Sequence, residues 1–274
     1  MTVRRSLIAA DAAGLRTHDH TAWCGDGPRE FHELAASVFS AAVTRNELML
    51  FVCEQPRREW LTDLGDVDHL VDRGALQLTS IDDVYTDLAA AADQRARFEA
   101  LLEQALTNGY SGVCVVADNS PLVTRSDEAF EDWLAWEAVA DQLQANRPMS
   151  GVCYFDRRRV SSDRLADLAA MHPVRCHRFS EPTFQVFCDA DSLRVLGELD
   201  GLSTDRIRRV VGTAVSATGL MLDITELEFI DHTTLRTLNQ VAEAGAAVRL
   251  RGANSVVRRV WELLDLPTPA LEFC

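Results

Sequence analysis

Two threonine hydroxyls, those of Thr233 and Thr234, follow Asp231 where an apolar run gives way to a helical pattern. The apolar residues beyond them recur at helical spacing, at Leu235, Leu238, Val241 and Ala242. The first turn of a helix has unpaired backbone N–H groups and a partial positive charge, so it suits a capping Asp or Thr and also accommodates a phosphate. The spacing therefore predicts either a simple helix cap or a hydroxyl that is phosphorylated at a helix start.

A second group of reactive side chains lies near the amino terminus, where His18-Asp19-His20 precedes Cys24. Imidazole, carboxylate and thiolate are all zinc ligands, and alternation along an extended segment would place His18 and His20 on one side. The sequence has no Cys-x-x-Cys or His-Glu-x-x-His pair, however. We therefore predict no metal site and expect these residues to hydrogen-bond across a sheet edge or to line a ligand cleft.

Seven cysteines are present, and Cys53, Cys114 and Cys153 fall within apolar runs typical of strands. Because the count is odd and no secretory signal precedes them, we expect buried thiols in a reducing cytoplasm. A redox-sensing or electrophile-sensing role is an alternative, since all three are expected in one sheet. That role would need local positive charge to lower a thiol pKa from about 8.5.

All 27 basic residues are arginines, because the chain contains no lysine. A Walker A phosphate loop requires Gly-Lys-Ser/Thr, and the nearest glycine-rich segment, Gly25-Asp26-Gly27-Pro28, has neither the lysine nor the hydroxyl. The missing lysine also excludes Schiff-base chemistry. We therefore predict a protein that is not an enzyme and needs no cofactor. An enzyme that uses Cys24 or His20 is an alternative, although no pair of nucleophile and base is identifiable.

The chain is strongly acidic, with a formal net charge of −15. Residues 184–274 contribute −4 and the preceding residues −11. Nucleic acids and anionic membranes are bound by basic surfaces, so neither is expected as a partner. No apolar run is long enough for a membrane helix, and we expect a cytoplasmic protein.

The carboxyl-terminal part of the chain alternates strands and helices. The predicted strands cover 186–187, 193–196, 219–223 and 247–250, and the predicted helices cover 203–217, the segment after Asp231, and 254–264. Such alternation predicts a mostly parallel or mixed sheet with helices packed against it. Residues 184–274 are therefore predicted to form one small α/β domain.

Residues 1–179 show the same alternation over a longer stretch. The predicted strands cover 47–53, 76–78, 112–117 and 149–154, and the predicted helices cover 31–43, 60–74, 89–108 and 126–145. This pattern predicts a doubly wound α/β sheet, in which ligands bind at the carboxyl ends of the strands, here after Val52, Val116 and Tyr154. Residues 180–183 are predicted to be a short linker between the two domains.

Two segments of the smaller domain carry a family resemblance. They are Gly197-Glu198-Leu199-Asp200 and the run from Leu222 through Phe229-Ile230-Asp231 to Leu235. From about Phe184 to Phe273 the chain resembles the STAS domain of anti-sigma factor antagonists, in which the junction reads Asp-Ser-Ser-Gly. The second serine of that motif is phosphorylated by an anti-sigma factor that is also a kinase. The resemblance implies Thr233 as the phosphoacceptor, Thr234 as the fallback, and a partner-binding surface formed by Asp200, Asp231, His232, Thr233, Thr234 and Leu235.

The larger domain carries a second resemblance in the order of its motifs. These are His18-Asp19-His20, Gly109-Tyr110-Ser111-Gly112, Glu137, Tyr154-Phe155-Asp156 with three following arginines, and Met171-His172-Pro173. From about His18 to Arg178 the chain resembles the MEDS domain, a sensory module for small ligands on a fold related to P-loop ATPases. The resemblance implies a small-molecule site, for which we expect His18, His20, Cys24, Tyr110, Glu137, Tyr154 and Asp156.

These features predict a regulatory protein with a sensory domain that is like a P-loop ATPase but lacks a Walker A loop, followed by a STAS domain. The expected role is that of an anti-sigma factor antagonist. Its unphosphorylated surface binds an anti-sigma factor with serine/threonine kinase activity, and phosphorylation of Thr233 reverses the binding. A phosphorylation-independent scaffold, gated by a ligand or by redox state, is the first alternative, since His232 replaces a serine. Association as a homodimer is compatible with this architecture.

Overall fold

A computed structural model describes residues 4–86, 90–189, 192–214, 220–245, 248–265 and 271–273. Within these ranges the chain forms one sheet of seven strands and one of six, each covered by helices. The first sheet ends at Cys176, and the second begins at Phe184. The predicted element ends at residues 89, 215–219 and 247 lie outside the described ranges.

The amino-terminal sheet is entirely parallel and has the order β1-β7-β2-β6-β5-β3-β4. Its strands are β1 (Leu7–Ala9), β2 (His20–Gly25), β3 (Leu48–Cys53), β4 (Leu76–Ser80), β5 (Val113–Asp118), β6 (Met149–Asp156) and β7 (Val174–Cys176). The central strands are short apolar runs bounded by turns, which is typical of strands buried on both faces. The predicted parallel α/β architecture is confirmed.

Helices cover both faces of this sheet. They are α1 (Pro28–Thr44), α2 (Val67–Asp72), α3 (Ile81–Val84), α4 (Ala91–Thr107), α5 (Ser120–Val123), α6 (Asp127–Asn146) and α7 (Ser162–Met171). Successive residues of β3 point to opposite faces. Phe51 joins the core that contains α1, whereas Leu50 and Val52 join the core that contains α4 and α6. The sheet is therefore doubly wound, as predicted.

The prediction of one continuous helix over residues 60–74 is wrong. A 3₁₀ helix covers Arg58–Leu64 and ends at Gly65, whose φ of 93° lies in the region that favours glycine. Asp66 then caps α2 by accepting a hydrogen bond from the His69 N–H at 3.0 Å. The glycine and the capping aspartate together divide the segment into two short helices.

The second sheet has its strand order β11-β9-β10-β12-β13, with β8 also paired to β9. Its strands are β8 (Phe184–Asp189), β9 (Ser192–Leu199), β10 (Leu220–Asp223), β11 (Leu227–Ile230), β12 (Val248–Arg251) and β13 (Leu271–Phe273), and its helices are α8 (Thr204–Ala214), α9 (His232–Gly245) and α10 (Ser255–Leu263). The β8–β9 pair is antiparallel and the other pairs are parallel. This mixed sheet also agrees with the prediction.

The two domains are in direct contact through α6 and α7 of the first and β8 and α8 of the second. Asp167 on α7 is buried and accepts hydrogen bonds from Arg206 and Arg209 of α8. Gln185 on β8 donates to the carbonyl of His172 at 2.8 Å. A single hydrophobic core runs from α6 into β8. A displacement of α6 or α7 therefore also shifts the residues of the second domain that pack against these helices.

Candidate functional sites

Four side chains with metal-binding atoms meet on the sheet face that α6 and α7 cover. His20 is the first residue of β2, and Cys153 lies on the neighbouring strand β6. Glu137 reaches them from α6, and His172 directly follows α7. Their ligand atoms all lie within 4.8 Å of one another. We call these four residues the His20 cluster.

The Glu137 Oε2 atom contacts all three other members of the His20 cluster. It lies 3.0 Å from His20 Nε2, 3.6 Å from His172 Nε2 and 3.8 Å from Cys153 Sγ. The Cys153 sulfur is also 3.8 Å from His20 Nε2. Both imidazoles and the carboxylate are fully buried. These groups therefore interact in a medium that screens charge weakly.

In each histidine of the His20 cluster, Nδ1 donates a hydrogen bond to an acceptor outside the cluster. His172 Nδ1 donates to the Leu168 carbonyl at 2.7 Å, and His20 Nδ1 donates to Asp141 Oδ1 at 3.1 Å. Asp141 lies one turn after Glu137 on α6. Each Nδ1 carries a proton and is directed to an acceptor outside the cluster. The Nε2 atoms, on the opposite side of the two rings, therefore face the interior of the cluster.

Asp141 connects the His20 cluster to the amino-terminal segment and to the second domain. Its Oδ1 also accepts from the Arg4 guanidinium at 2.7 Å, and its Oδ2 accepts from the backbone N–H of Cys188 on β8 at 2.5 Å. Arg4 in turn donates to the Cys188 carbonyl at 2.8 Å. One buried carboxylate therefore separates His20 from the first strand of the second domain.

The two histidines differ in their protonation. Burial disfavours a charge on His20, but hydrogen bonds to Asp141, Cys153 and Glu137 outweigh it and raise the pKa of His20 well above its usual value. Burial and the nearby His20 cation lower the pKa of His172 to about 4. Burial would raise the pKa of Glu137, but the two histidines keep it below its usual value. At neutral pH the His20 cluster holds a cation, a carboxylate and a neutral imidazole.

A cavity of about 20 Å³ adjoins the His20 cluster. Glu137 and Cys153 line one side of it, and most of the remaining wall is apolar, including Tyr85, Phe98, Val115, Trp136 and Met149. This volume corresponds to about one water molecule. Without rearrangement the cavity admits only a molecule of a few atoms, with a thiol and a carboxylate to contact it.

The Asp231 junction of the second domain is a capped helix start. Asp231 Oδ1 accepts from the Thr234 N–H at 2.7 Å, and Thr233 is exposed in the first turn of α9. The Thr234 hydroxyl is fully buried and lies 3.4 Å from the carbonyls of Leu199 and Asp200. Of the two threonine hydroxyls, only that of Thr233 is open to another protein.

Two large apolar side chains are exposed beside this junction. Leu202, in the turn that precedes α8, is 91% exposed, and Phe229, at the end of β11, is 50% exposed. In the same turn, Asp200 Oδ1 accepts from the N–H and the hydroxyl of Ser203. A hydroxyl, carboxylates and apolar side chains thus occupy neighbouring parts of one surface, which is the composition of a protein interface.

Two family models match the chain. The first, the MEthanogen/methylotroph, DcmR Sensory domain (MEDS), covers residues 19–173, which is more than half of the chain. The protein belongs to the MEDS family. The second model, the STAS domain, covers residues 189–268. The predicted fusion of a MEDS domain and a STAS domain is confirmed, and with it a sensory module joined to a regulatory module.

Among solved structures, the chain is similar to flagellar accessory protein FlaH from Methanocaldococcus jannaschii, at 11% identity and a TM-score of 0.37. The similarity covers 72% of this chain and 88% of that chain. No curated protein gives a significant match. Over the part of the chain that the structure describes, no helix combines the length and the apolar character needed to cross a membrane.

The structure brings only two of the seven expected ligand residues of the MEDS domain together, His20 and Glu137. The others lie apart from them. His18 is exposed and bonds the Gln144 carbonyl through Nδ1, and Tyr110 is half-buried before the start of β5. Cys24 contacts Cys176, and Asp156 pairs with Arg158. The Tyr154 hydroxyl bonds Gly27 on the other face of the sheet. The His20 cluster therefore lies on a face of the sheet and not at the carboxyl ends of the strands, where we expected a ligand site.

Acidic and basic side chains fill the loop after β2 in the MEDS domain. Arg157 binds both carboxylate oxygens of Asp26, at 2.5 and 2.7 Å. Glu30 accepts from the Asp26 N–H at 3.0 Å and pairs with Arg178. Both carboxylates of this loop are therefore neutralised by arginines, and the loop lacks the lysine of a Walker A motif.

The three cysteines expected in one sheet, Cys53, Cys114 and Cys153, do lie in strands of the same sheet, but on opposite faces of it. Cys53 and Cys114 belong to the core on the α1 face, whereas Cys153 lies on the α6 face, and burial raises the pKa of each to about 12. The thiols of Cys24 and Cys176 contact each other at 3.8 Å. A hydrogen bond from the Cys24 thiol lowers the pKa of Cys176 to about 6.

In the STAS domain, the expected partner surface becomes smaller. Thr234 and Leu235 are buried, so neither presents a side chain to a partner. His232 and Thr233 are exposed, and Asp200 and Asp231 are half-buried. The helical period explains this result, because Leu235 and the neighbouring Thr234 fall on the side of α9 that packs on the sheet.

Sequence reasoning missed that Cys153, His172 and Asp141 belong with His20 and Glu137. Glu137 and Asp141 are four residues apart, the spacing that places two carboxylates on one face of a helix. This signal was available, but it does not say which strand the two carboxylates face. That pairing depends on the order of strands in the sheet.

Proposed function

We propose that the protein is an anti-sigma factor antagonist whose MEDS domain responds to a small molecule and whose STAS domain is controlled by phosphorylation at Thr233. The partner we propose is an anti-sigma factor with serine/threonine kinase activity. The observation that carries this proposal is the exposed Thr233 hydroxyl in a capped helix start, beside the buried Thr234 hydroxyl. A kinase can reach the first hydroxyl without unfolding α9.

Phosphorylation of Thr233 would add negative charge to the docking surface, by which we mean the accessible part of the partner surface, formed by Asp200, Asp231, His232 and Thr233. A phosphate adds about −1.5 to −2 charges, and it would lie beside the carboxylate of Asp231. The helix N-terminus tolerates this charge, so α9 stays folded. A partner whose apolar or acidic face covers Leu202 and Phe229 would be repelled. The modification thus acts on association and leaves the fold of the STAS domain intact.

The contact between the domains supports control of the STAS domain by the MEDS domain. The Cys188 N–H of β8 is bonded to Asp141, and α8 is ion-paired to Asp167 of α7. A ligand that repositions α6 or α7 therefore changes the support of β8 and α8. Because Asp200 lies between β9 and α8, this shift reaches the partner surface that contains Asp200.

The six cysteines that the structure describes are all free thiols. This state fits the reducing cytoplasm that we propose as the site of action. We also propose that the protein is not an enzyme. Cys24 and His20 have separate partners, Cys176 for the thiol and Glu137 and Asp141 for the imidazole. Among the described contacts, these two residues do not pair as nucleophile and base.

The test is phosphorylation of the full chain by candidate anti-sigma kinases with ATP and Mg²⁺, followed by intact-mass measurement and peptide mapping. We expect one phosphate on the wild type, none on Thr233→Ala, and one on Thr225→Ala, the control for an exposed threonine in the same domain. In a binding assay, Thr233→Asp should weaken the partner complex about tenfold or more, and Thr225→Asp should not. Absence of phosphate with every kinase would refute the phosphorylation switch.

A phosphorylation-independent scaffold is the second candidate function, and two observations favour it. His232 stands where the related domains have a serine, and the bonds from Asp141 and Asp167 connect the domains directly. In this case the ligand of the MEDS domain alone sets partner affinity. The same assays separate the two candidates, because the scaffold requires partner binding that Thr233→Asp leaves unchanged.

A further inference from the structure

We propose that the His20 cluster binds one divalent metal ion of the zinc class. The ligands are His20 Nε2, His172 Nε2, Glu137 Oε2 and the Cys153 thiolate. Two imidazoles, one thiolate and one carboxylate form a donor set typical of zinc, and four protein donors complete a tetrahedral site. This inference is independent of the proposed function, because metal binding is measured without a partner or a kinase.

The donor separations agree with a tetrahedral site that is nearly formed. Bond lengths of about 2.0 Å to nitrogen and oxygen and 2.3 Å to sulfur place the donors of a zinc site roughly 3.3 to 3.6 Å apart. In the His20 cluster four of the six distances between the donor atoms are 3.0, 3.6, 3.8 and 3.8 Å, and the other two are at most 4.8 Å. Side-chain adjustments of about 1 Å or less therefore bring all four donors to bonding distance.

The surrounding hydrogen bonds orient both histidines as ligands. Each Nδ1 is occupied, by Asp141 in one case and by the Leu168 carbonyl in the other, and each Nε2 faces the other donors. Metal-bound histidines almost always make such a bond to a carboxylate or a backbone carbonyl through the second nitrogen. The His20 cluster thus has the outer contacts of a metal site as well as the donors.

One buried acceptor in the His20 cluster, His172 Nε2, lacks a hydrogen-bond partner in the structure. His172 Nε2 carries a lone pair, because the proton is on Nδ1, and it faces the Glu137 carboxylate at 3.6 Å. The Glu137 carboxylate is paired with His20, but the His172 lone pair has no donor among the described residues, and an unpaired buried acceptor costs free energy. A metal ion bound to His172 Nε2 removes this cost.

The charges balance when the metal is bound. Metal ligands must be deprotonated, so both Nε2 atoms act as neutral donors and the Cys153 thiol gives up its proton as the complex forms. The ion then compensates the Cys153 thiolate and the Glu137 carboxylate, while Arg4 compensates Asp141. The site is therefore neutral as a whole, which is what a fully buried ionic group requires.

The test is metal analysis of the full chain, produced with zinc or with cobalt and desalted under reducing conditions. We expect about one metal ion per chain in the wild type and in Cys114→Ala, which removes a buried thiol from β5 on the other face of the sheet. Cys153→Ala and His172→Gln should lose most of the metal. The cobalt form should show a thiolate-to-cobalt absorption band that is absent in Cys153→Ala.

Glu137→Gln and Asp141→Asn keep the test decisive if a ligand variant does not fold. We expect Glu137→Gln to lose stoichiometric metal, and we expect Asp141→Asn to retain it with an affinity lowered about 10- to 100-fold, the usual effect of losing an outer contact. Circular dichroism checks the fold of each variant. Equal metal content in the wild type, Cys153→Ala and His172→Gln would overturn the proposal, as would a wild type without metal after refolding with zinc.

Discussion

Replacement of Asp141 by asparagine tests the buried connection between the two domains. The Asp141 carboxylate has only 2% exposure and accepts three hydrogen bonds, from Arg4 at 2.7 Å, His20 at 3.1 Å and the Cys188 N–H at 2.5 Å. Asparagine keeps the shape of the side chain but removes the charge and turns one acceptor into a donor. Either the Cys188 N–H then loses its acceptor, or Arg4 and His20 both lose their bonds to this side chain.

The expected loss of stability is large. Breaking a buried ion pair by removing one partner costs about 3 to 5 kcal/mol, because the remaining charge stays buried. Asparagine still accepts one hydrogen bond, so we expect the lower end, about 3 kcal/mol. Burial opposes ionisation, but Arg4 and His20 hold the pKa of Asp141 well below its usual range. The stabilisation is therefore complete above the unfolded pKa of about 3.9 and is lost as the pH falls below it.

The assay is urea unfolding at neutral pH together with hydrogen exchange of β8. The matched control is Asp127→Asn, which changes a fully exposed carboxylate on the same helix. We expect Asp141→Asn to lower the free energy of unfolding by about 3 kcal/mol and the control, which loses only an exposed pair with Arg164, by less than about 1 kcal/mol. Since 1.4 kcal/mol is a factor of ten, exchange in Phe184–Asp189 should accelerate roughly a hundredfold. Equal stability of the two variants, or unchanged exchange in β8, would refute the reasoning.

Two further predictions concern single residues. In chelator-treated protein, burial lowers the pKa of His172 to about 4, whereas the unfolded chain is protonated below about 6.5. As the pH falls from about 6.5 to about 4, the unfolded chain binds a proton that the folded protein does not, so the folded state loses stability. The loss is about 3 kcal/mol in unfolding titrations, and it should be absent in His172→Gln; the same pH dependence in that variant would contradict it. Gly197 has a φ of 83°, and a Cβ there would lie 2.4 Å from the Thr183 carbonyl oxygen. Gly197→Ala should therefore cost about 1 to 3 kcal/mol in thermal unfolding, whereas Gly14→Ala, whose Cβ makes ordinary contacts, should be nearly neutral; equal melting temperatures would contradict this.

Local patterns predicted most of the elements and failed where a single backbone position interrupts a pattern. The apolar run of β3 and the helical period of α4 predict the structure to within a few residues. The helix expected over 60–74 is divided at Gly65, although the helical spacing of the apolar residues continues across this glycine. A period reports which face a segment buries, and it is insensitive to one residue with a positive φ.

The candidate sites show the same division. The placement of Thr233 in the first turn of a capped helix could be inferred from the sequence, because a helix cap and the turn that follows it are local features. That Thr234 and Leu235 are buried depends on the packing of α9 against the sheet. Local spacing therefore found the junction, and tertiary packing selected which of its side chains a partner can reach.

The sequence by itself determined the two α/β domains, the missing lysine with its consequence for nucleotide chemistry, and the hydroxyl at a helix start. Each of these depends on residues close together in the chain. Only the tertiary structure decided that His20 meets Glu137, Cys153 and His172, and that Asp141 bonds the second domain. These residues are far apart in sequence and meet because β2 and β6 are neighbours beneath α6, an arrangement set by the packing of the whole sheet.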